Sequence, residues 1–527
     1  MKDLPITDET MLDLLADTVR RHGDRPGIHY FGRTMSWREI DTISDALARG
    51  LLARGVCSGT HVGLLMQNVP QYLLALTALW KVGAASVPIN PMLTPKDIRF
   101  ILEDSGATVV IGLDALLYPL ASDGASPLLI ATTAEEYAVN WPDALPRAGR
   151  VEVPGAVTWQ ELLVGGVDEI SLPAVAADDR AVLTYTSGTT GPPKGAINTH
   201  VNVVFACRFY EAWADLDVDD VILGMAPLFH ITGLVAHMGP AITTGAALVL
   251  GYRYEVHLIA DLIEQYRPTF TIGAITAFIA LMMDAECKQR DLSSLTTVYS
   301  GGAPIAPTTV ADFASTFGRY IHNIYGLTEA TGPCLAVPMG SRAPTDPSTG
   351  ALAAGVPVFN TEVKIVREDG TAAGPGEPGE LAMRGPQVVP GYWRRDAETT
   401  NAIRDGWLFT GDVAVRDEAG WYFIVDRLKD QINASGFKVW PREVEDALVS
   451  HPEVVEDAVV GVPDPYRSET VKAFVVLVPG SRVTTDDLIA HSRARLAAYK
   501  YPRIVEIVGE LPHTASGKIM RPALRSP

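Results

Sequence analysis

The sequence predicts an α/β protein with a large N-terminal domain of α/β-layered subdomains, a small β-rich subdomain and a small α+β C-terminal domain. Three observations predict this architecture. The chain has 527 residues, too many for a single hydrophobic core. Apolar strands alternate with helices through the first part of the chain, as in parallel sheets covered on both faces. Short strands and turns begin near residue 379, and a separate strand–helix pattern begins near residue 431.

The N-terminal elements follow from the spacing of apolar residues. Met11, Leu14, Leu15 and Val19 recur at helical intervals and predict the first helix. The predicted helices are 11–21, 37–54, 71–81 and 95–104, and the predicted strands lie near residues 28 and 35 and at 61–66, 85–89 and 108–111. From 113 to 172 the pattern weakens to Ala, Ser, Pro and Gly, which indicates connections and a short helix at 159–163.

The later elements follow in the same way. Strands are predicted at 181–185, 221–225, 270–272 and 421–425, and helices at 199–213 and 276–284. After residue 431 we expect one strand at 432–439, a helix at 442–450, strands at 454–462 and 471–478, and a helix at 485–496. We therefore divide the chain into an N-terminal domain, 1–428, and a C-terminal domain, 429–527.

Composition excludes several classes of function. The net charge of −19 argues against nucleic acid or an anionic membrane as a standing partner, so an anionic ligand needs a local positive site. The cysteines at 57, 207, 287 and 334 are too far apart for a zinc motif or a disulfide framework. No signal peptide and no apolar run long enough to cross a membrane is visible in the sequence. We expect a cytoplasmic enzyme.

The stretch from Tyr185 to Gly195 carries the strongest chemical signal. It holds four Ser or Thr hydroxyls, three glycines and Lys194 within eleven residues, directly after a strand. Such a loop directs backbone N–H groups and hydroxyls at one anion, and the lysine adds a positive charge. A polyphosphate fits these donors. A Walker A loop is excluded, because Pro193 precedes the lysine and Gly195 follows it.

This loop and six further motifs, in the same order along the chain, resemble the adenylate-forming superfamily of acyl-CoA synthetases, peptide-synthetase adenylation domains and beetle luciferases. The motifs span nearly the whole chain after the loop: 185–195, 227–233, 298–305, 322–331, 407–412, 426–430 and 511–521. The resemblance implies a reaction in two halves. A carboxylate and Mg-ATP give an acyl-adenylate and pyrophosphate, and a thiol then displaces AMP.

The resemblance also implies which residues bind the nucleotide. Tyr325 stacks on adenine, Thr328 contacts the α-phosphate, and Glu329 ligates Mg²⁺, a cation that prefers oxygen ligands. Asp412 binds the ribose hydroxyls, and Arg427 reaches the ribose and phosphates. The remaining implied ATP or AMP contacts are Thr186, Ser187, Gly188, Thr189, Thr190, Lys194, Gly302, Ala303, Pro304, Asn323, Gly326 and Lys518.

Similar enzymes rotate the C-terminal domain between the two half-reactions. The implied hinge is Lys429, and Lys518 is the lysine that contacts the carboxylate and α-phosphate during adenylation. The implied catalytic residues are thus Lys518, Thr328 and His230. After rotation, the segment with Ser435, Gly436 and Lys438 faces the pantetheine of coenzyme A. Lys438 departs from the Gln or Asn of the family pattern, which leaves its role open.

The acid is the least determined part of the reaction. Candidate acyl-pocket residues are small or apolar apart from the histidine, and they are His230, Thr232, Gly233, Ala274, Phe278, Gly301, Gly302 and Cys334. Amino-acid adenylating relatives commonly place Asp where His230 stands, so an amino acid is disfavoured. Hydroxycinnamate ligases often have an aromatic residue at the position of Thr232, whereas Phe278 suits a ring as well as a chain. We expect a medium- or long-chain fatty acid, with an aryl acid of the benzoate or cinnamate type as the alternative.

Three activities compete at this point: a stand-alone acyl-CoA ligase, an adenylation enzyme that loads a carrier protein, and a luciferase-like or adenylate-only enzyme. The sequence has no carrier domain after Pro527 and no C-terminal Ser-Lys-Leu address. We favour the AMP-forming acid–thiol ligase with ATP, Mg²⁺ and coenzyme A. The oligomeric state is open, with a homodimer among the alternatives.

Overall fold

The computed structural model describes residues 3–123, 127–147, 149–165, 172–186, 192–427, 430, 432–434, 437–464, 468–513 and 519–525. For residues 122, 123, 427, 433, 434, 437, 438, 468 and 522 it describes the backbone alone. Within these residues the strands form four sheets, two in the α/β layers, one in a β-rich subdomain and one near the C-terminus.

The first sheet carries the predicted phosphate loop at one edge. In spatial order its strands are Val157–Thr158, Leu128–Thr132, Val109–Leu113, His61–Leu65, Ala85–Pro88, Arg180–Tyr185 and Gly195–Thr199. Neighbours are parallel except for the last pair, which is antiparallel. The phosphate loop therefore connects two hydrogen-bonded strands, as in a β-hairpin.

The second sheet brings three of the other motifs, 227–233, 298–305 and 322–331, to strand ends. Its strands in spatial order are Val356–Pro357, Gly332–Ala336, Ile321–Leu327, Thr297–Gly301, Phe270–Gly273, Val221–Leu223, Ala247–Leu250, Pro26–Tyr30 and Arg33–Ser36. The centre is parallel and both edges are antiparallel. In open parallel sheets, ligands bind beyond the carboxyl ends of the strands, where these motifs lie.

The remaining two sheets correspond to the predicted β-rich and C-terminal regions. The first of them, fully antiparallel, contains Glu362–Val366, Gly379–Arg384, Ile403–Arg404, Trp407–Arg416 and Tyr422–Arg427. The C-terminal sheet contains Ile432–Ala434, Phe437–Val439, Val454–Asp464, Ser468–Leu477 and Ile504–Ile507.

Helices cover the sheets of the α/β layers and pack beside the smaller sheets. The α-helices are Met11–His22, Trp37–Leu52, Pro70–Lys81, Pro95–Ser105, Asp114–Leu117, Trp159–Val164, His200–Trp213, Ile231–Gly233, Gly239–Thr244, Val256–Tyr266, Ile275–Met283, Pro307–Phe317, Asp396–Ala402, Pro441–Val449, Thr485–Arg493 and Arg521–Arg525. Shorter or wider turns occur at Tyr118–Asp123, Leu234–Met238, Cys287–Gln289 and Thr328–Ala330.

The helix Pro70–Lys81 lies in the main core, and every one of its residues is buried. It has Pro at its first position, where a missing N–H costs no helical hydrogen bond. Trp80 is 1% exposed, and its indole N–H donates to the carbonyl of Ala181 at 3.1 Å. This contact fixes the helix against the strand that leads into the phosphate loop.

The predicted α/β class with a separate C-terminal domain is confirmed. Two predictions at the level of elements are wrong. The segment 432–439 is not one strand but contains two antiparallel strands, Ile432–Ala434 and Phe437–Val439, with Ile432 opposite Val439; its sequence includes Ser-Gly, a dipeptide typical of turns. The weakly patterned region 113–172 contains the strands Leu128–Thr132 and Val157–Thr158, whose short apolar runs are easily hidden among Ala, Ser and Pro.

Candidate active site

The base of the phosphate loop is closed by backbone pairing. Tyr185 lies opposite Gly195 in the hairpin register, and the N–H of Thr186 donates to the carbonyl of Lys194 at 2.9 Å. The structure thus brings the two ends of the predicted loop together. Ser187, Gly188, Thr189 and Thr190 lie outside the described residues, so their contacts with phosphate stay predictions.

The strand before the loop is anchored by a carboxylate that the sequence analysis did not single out. The Tyr185 hydroxyl donates to Asp104 Oδ2 at 2.7 Å, and the guanidinium of Arg395 pairs with the same carboxylate. Burial, together with the neighbouring Asp104 charge, raises the pKa of Tyr185. The tyrosine therefore stays a neutral donor, and Asp104 joins the hairpin to the segment that carries Arg395.

That segment pairs with the second strand of the hairpin. The N–H of Ile197 donates to Gly391 O at 3.0 Å, and the N–H of Trp393 donates to Gly195 O at 2.8 Å. Tyr392 lies between these two hydrogen bonds and is fixed in position by them. Sequence reasoning missed Tyr392, because its pairing with the distant hairpin strand is not encoded in a local pattern.

Tyr392 connects two residues that the resemblance assigns to the ATP site. The Lys194 ammonium lies 4.5 Å from the centre of the Tyr392 ring, a cation–π distance. The Tyr392 hydroxyl donates to Glu329 Oε1 at 2.7 Å. Burial and the Glu329 charge raise the pKa of Tyr392, which keeps the phenol protonated as a donor. The predicted phosphate-binding lysine and the predicted metal ligand thus share one tyrosine.

The turn that bears Thr328 and Glu329 is fixed from two sides. The Asn198 side-chain amide donates to Thr331 Oγ1 at 2.9 Å and to Thr328 O at 3.3 Å. The N–H of Val389 donates to Glu329 O at 2.9 Å. A single protein carboxylate with phosphate oxygens is a normal ligand set for Mg²⁺, so Glu329 fits the cation that the resemblance implies.

Tyr325 and Asp412, which the resemblance assigns to adenine and ribose, are in direct contact. The Tyr325 hydroxyl donates to Asp412 Oδ2 at 2.5 Å and joins the second sheet to the β-rich subdomain. Burial and the Asp412 carboxylate raise the pKa of Tyr325. Asp412 lies opposite Arg427 in the strand register, although the Arg427 side chain is outside the description. Gly326 has no room for a side chain, because an added Cβ would lie 2.1 Å from Gly332 O.

The segment 301–304 begins at Gly301, the last residue of the strand Thr297–Gly301. Gly302 has a φ of +80° and is exposed, a conformation that glycine adopts without strain. Ala303 is half-buried and Pro304 is exposed. Asn323 is buried and donates its side-chain amide to Ala353 O at 3.0 Å, so its amide is engaged within the protein here.

His230 begins a short turn of helix near the junction of the two large sheets. Its Nδ1 accepts the N–H of Thr232 at 3.3 Å and lies 3.0 Å from Thr232 Oγ1. An Nδ1 that accepts a hydrogen bond leaves Nε2 as the protonated nitrogen of the neutral ring. Gly233 has no room for a side chain, since an added Cβ would lie 2.2 Å from Pro227 O.

The other acyl-pocket candidates occupy different surroundings. Ala274 immediately precedes the helix Ile275–Met283. Phe278 is 1% exposed and packs edge-on against Phe313, with ring centres 5.4 Å apart. Cys334, on the strand Gly332–Ala336 of the second sheet, is fully buried in a cluster with Leu381 of the β-rich subdomain. Neither Phe278 nor Cys334 is at a surface in this structure, and their roles in an acyl pocket stay predictions.

Of the C-terminal candidates, Lys429, Ser435, Gly436 and Lys518 lie outside the described residues, and Lys438 is described by its backbone alone. Their predicted roles therefore stay predictions. The domain boundary between 428 and 429 also falls there.

The residues around these candidates form charged contacts. The Arg521 guanidinium donates to both oxygens of Glu445, at 2.8 and 2.7 Å. The Glu445 charge is the main cause of a raised pKa for Arg521. Arg525 donates to Asp430 Oδ1 at 2.9 Å. The tail just after residue 518 is thus paired to residues near the predicted hinge.

One side chain joins the C-terminal domain to the nucleotide side of the N-terminal domain. Arg442 is 7% exposed. Its Nη2 donates to the carbonyl of Ile305 at 3.3 Å, directly after the segment 301–304. Its Nε donates to the Asp446 carboxylate at 3.0 Å, and its backbone N–H donates to Asp426 Oδ2 at 3.0 Å. Sequence reasoning did not identify Arg442.

Two family models together match most of this chain. The family model of the AMP-binding enzymes matches residues 15–393, and that of the AMP-binding enzyme C-terminal domain matches residues 443–518. The chain belongs to the AMP-binding enzyme family. It is an adenylate-forming ligase of the acyl-CoA synthetase class, as the resemblance implied.

The relatives of this AMP-binding enzyme are named after different carboxylic acids. It is 35% identical to the long-chain-fatty-acid–CoA ligase of Bacillus subtilis (strain 168), over 98% of this chain and 94% of that protein. It is 36% identical to a feruloyl-CoA synthase of Amycolatopsis sp, over 96% and 95% of the two chains. The structure of the anthranilate CoA ligase AuaEII in complex with anthranoyl-AMP superimposes with a TM-score of 0.88 at 26% identity, over 99% and 97% of the chains.

Within the described ranges, none of the helices combines the length and the apolar character that crossing a bilayer requires.

Proposed function

We propose that this ligase activates a medium- or long-chain fatty acid with ATP and transfers the acyl group to coenzyme A, releasing AMP and pyrophosphate. The observation that carries the proposal is the contact of Lys194 and Glu329 with one tyrosine, Tyr392. In this proposal Lys194 is the cation for the departing pyrophosphate, and Glu329 is the carboxylate that holds Mg²⁺. The fatty acid is supported by the uncharged residues around His230 and by the 35% identity to a long-chain-fatty-acid–CoA ligase.

The first half-reaction needs positioning more than activation, because a carboxylate is already a nucleophile. Its oxygen attacks the α-phosphorus of ATP, and the bond to the β-phosphate oxygen breaks as pyrophosphate leaves. Charge develops on the α-phosphate, where oriented donors lower the barrier. We assign this role to Thr328 and Lys518, and the holding of pyrophosphate to Lys194 and the loop hydroxyls. Mg²⁺ on Glu329 would neutralise phosphate charge when bound.

In the second half-reaction the thiol of coenzyme A attacks the acyl carbon, and AMP leaves with the bond electrons. We propose that the C-terminal domain turns about Lys429 between the two steps, so that Lys518 withdraws and the segment 435–438 reaches the thiol. Arg442 contacts the N-terminal domain through Ile305 O and Asp426, whereas the pairs Arg521–Glu445 and Arg525–Asp430 lie within the C-terminal domain. A side-chain contact such as that of Arg442 can exchange partners during a rigid-body rotation, while the pairs within the domain move with it.

An aryl acid is the second candidate. It is favoured by the feruloyl-CoA synthase relative, at 36% identity, and by the similarity to an anthranilate CoA ligase structure. A panel of acids separates the two. For saturated acids we expect kcat/KM to rise about fourfold per added methylene until the pocket ends, since each buried CH₂ contributes about 0.8 kcal/mol. A flat series with much faster ferulate or benzoate would establish the aryl acid instead.

A carrier protein or another nucleophile remains the alternative acceptor. Thioester formation with coenzyme A alone, measured after acyl-adenylate has formed, tests this point. Transfer to coenzyme A at a rate comparable to that of adenylation is the expected result. Accumulation of acyl-adenylate in the presence of coenzyme A would contradict the proposal.

A further inference from the structure

Three buried hydroxyl side chains border one small cavity in the main core. Tyr72 lies on the helix Pro70–Lys81, Ser86 on the strand Ala85–Pro88, and Thr184 on the strand Arg180–Tyr185. Their exposed fractions are 1%, 0% and 4%. None of the three hydroxyls has a hydrogen-bond partner in the part of the chain that the structure describes. Three elements that are distant in sequence thus border the same cavity.

Two buried threonines elsewhere in this core, Thr271 and Thr244, bond to backbone carbonyls. Thr271 donates to Leu223 O at 2.9 Å, and Thr244 donates to Pro240 O at 2.7 Å. A buried hydroxyl that bonds to nothing is costly, because it gave up its hydrogen bonds to water on folding. Three such hydroxyls around one cavity therefore indicate a shared ligand rather than three separate defects.

The size and charge of the cavity identify the kind of ligand. It offers about 10 Å³ to the centre of a water molecule, close to the lower limit for holding one water. Its other borders are Leu76, Pro88, Val182, Leu228, His230, Ile231, Leu234 and Met238. No carboxylate, lysine or arginine is among them. A neutral oxygen with donor and acceptor capacity suits three hydroxyls, whereas an ion or a methylene group does not.

We propose that this cavity is a binding site for one neutral hydroxyl oxygen, supplied by a buried water molecule that Tyr72, Ser86 and Thr184 hold beside His230. The site adjoins the predicted catalytic region twice. His230 borders it, and Thr184 lies two residues before Thr186 on the strand that enters the phosphate loop. An alkyl chain entering here would displace the water and leave three hydroxyls unpaired, so the acyl chain extends elsewhere from His230.

The site is tested by whether substitution of its hydroxyl residues lowers or raises the Tm of the full-length protein. With a bound oxygen, Ser86→Ala and Thr184→Val each remove a hydrogen bond, and the Tm of each variant falls by about 1–2 °C. Without one, the same changes remove an unpaired buried hydroxyl, and the Tm stays constant or rises. A constant or raised Tm in both variants would overturn the proposal.

Two matched controls calibrate this sign. Thr77 is fully buried on the same helix as Tyr72 and does not border the cavity, and within the described residues its hydroxyl has no partner. Thr77→Val is therefore expected to keep or raise the Tm. Thr271→Val removes a bonded hydroxyl and is expected to lower it. If Thr184→Val behaves like Thr77→Val instead of Thr271→Val, the site does not bind an oxygen.

High-resolution crystal structures test whether the oxygen is that of water or the hydroxyl of a bound acyl group. With an unsubstituted fatty acyl-adenylate bound, an isolated density peak within hydrogen-bond distance of the three hydroxyls is the expected result. In a second complex, with a hydroxylated acyl-adenylate, continuous density from the acyl group into the cavity would overturn the water as the source. The absence of any peak in well-ordered density would overturn the site itself. Wild-type protein suffices for this experiment, so it is independent of the folding of the variants.

Discussion

The two sides of the proposed ATP site are held in different ways. On the N-terminal side, backbone hydrogen bonds join the hairpin at Gly195 and Ile197 to the segment around Tyr392, and Asn198 holds the turn after Thr328. On the C-terminal side, the guanidinium of Arg442 donates to Ile305 O of the N-terminal domain, and the pairs Arg521–Glu445 and Arg525–Asp430 lie within the C-terminal domain.

The difference fits a division of labour. Backbone pairing fixes a geometry at all times, because breaking it would leave peptide groups unpaired. A single side-chain hydrogen bond contributes little net stability and can be replaced by one to water or to a new partner. The N-terminal side therefore holds Lys194 and Glu329, the proposed phosphate and metal ligands, in place before ATP arrives. The contacts of the C-terminal domain with the N-terminal domain include that of Arg442 with Ile305 O, which can be exchanged during the rotation we propose.

The largest expected effect falls on the C-terminal side. Lys518→Ala should lower the rate of adenylation by roughly 10²–10³, the usual cost of losing one charge-stabilising contact. The same variant should convert supplied acyl-adenylate to thioester at nearly the wild-type rate. ATP–pyrophosphate exchange measures the first step, and thioester formation from synthetic acyl-adenylate measures the second. Near-normal exchange would remove Lys518 from the adenylation step.

Lys429→Pro should separate the half-reactions in the opposite sense. Proline restricts φ and removes a backbone N–H, so it should arrest the proposed rotation. We expect adenylation to continue while thioester formation falls by about tenfold or more, because the second step requires the domain motion that is blocked. Pyrophosphate release and thioester formation, measured separately, report the two steps. Equal loss of both would indicate misfolding, and retention of both would place the pivot elsewhere.

Tyr392→Phe probes the fixed side of the site with a smaller change. The ring beneath Lys194 is kept, while the hydrogen bond to Glu329 is lost. We expect kcat/KM for ATP to fall about tenfold, the value of one hydrogen bond to a charged group, and the Mg²⁺ concentration for half-maximal activity to rise. Tyr422→Phe is the matched control, because its hydroxyl bonds to Val363 O within the β-rich subdomain. Equal effects of the two variants would deny Tyr392 a specific role.

The Asp104→Asn variant should have the smallest effect. Asn can still accept the Tyr185 hydroxyl, whereas its pairing with Arg395 loses the charge. We expect a decrease in kcat/KM of about threefold or less, since partly exposed ion pairs contribute about 0–1 kcal/mol. A loss as large as that of Tyr392→Phe would mean that Asp104 acts on the nucleotide site directly.

Sequence reasoning predicted the fold class and most elements because apolar spacing is a local signal. The strand predicted at 181–185 and the helix predicted at 199–213 are good examples, observed at Arg180–Tyr185 and His200–Trp213. Lys194 and Glu329 could be named from motifs. Their common partner Tyr392 could not, because it pairs with the hairpin across a sequence distance that no local pattern encodes.

The same limit explains the other omissions. Asp104 and Arg442 are ordinary charged residues on helices until the fold brings them to Tyr185 and Ile305. The division of 432–439 into two strands is visible only from the antiparallel pairing of Ile432–Ala434 with Phe437–Val439. Side chains whose role depends on tertiary contact are therefore visible only in the structure.

Binding of Mg-ATP in the absence of acid and coenzyme A tests the contrast between the two sides most directly. Isothermal titration calorimetry on the wild type, Lys518→Ala and Tyr392→Phe measures it without turnover. If the N-terminal side is assembled in advance, Lys518→Ala changes Kd by less than about threefold, and Tyr392→Phe raises Kd by about tenfold. Loss of binding in Lys518→Ala, with unchanged binding in Tyr392→Phe, would contradict an ATP site assembled in advance on the N-terminal side.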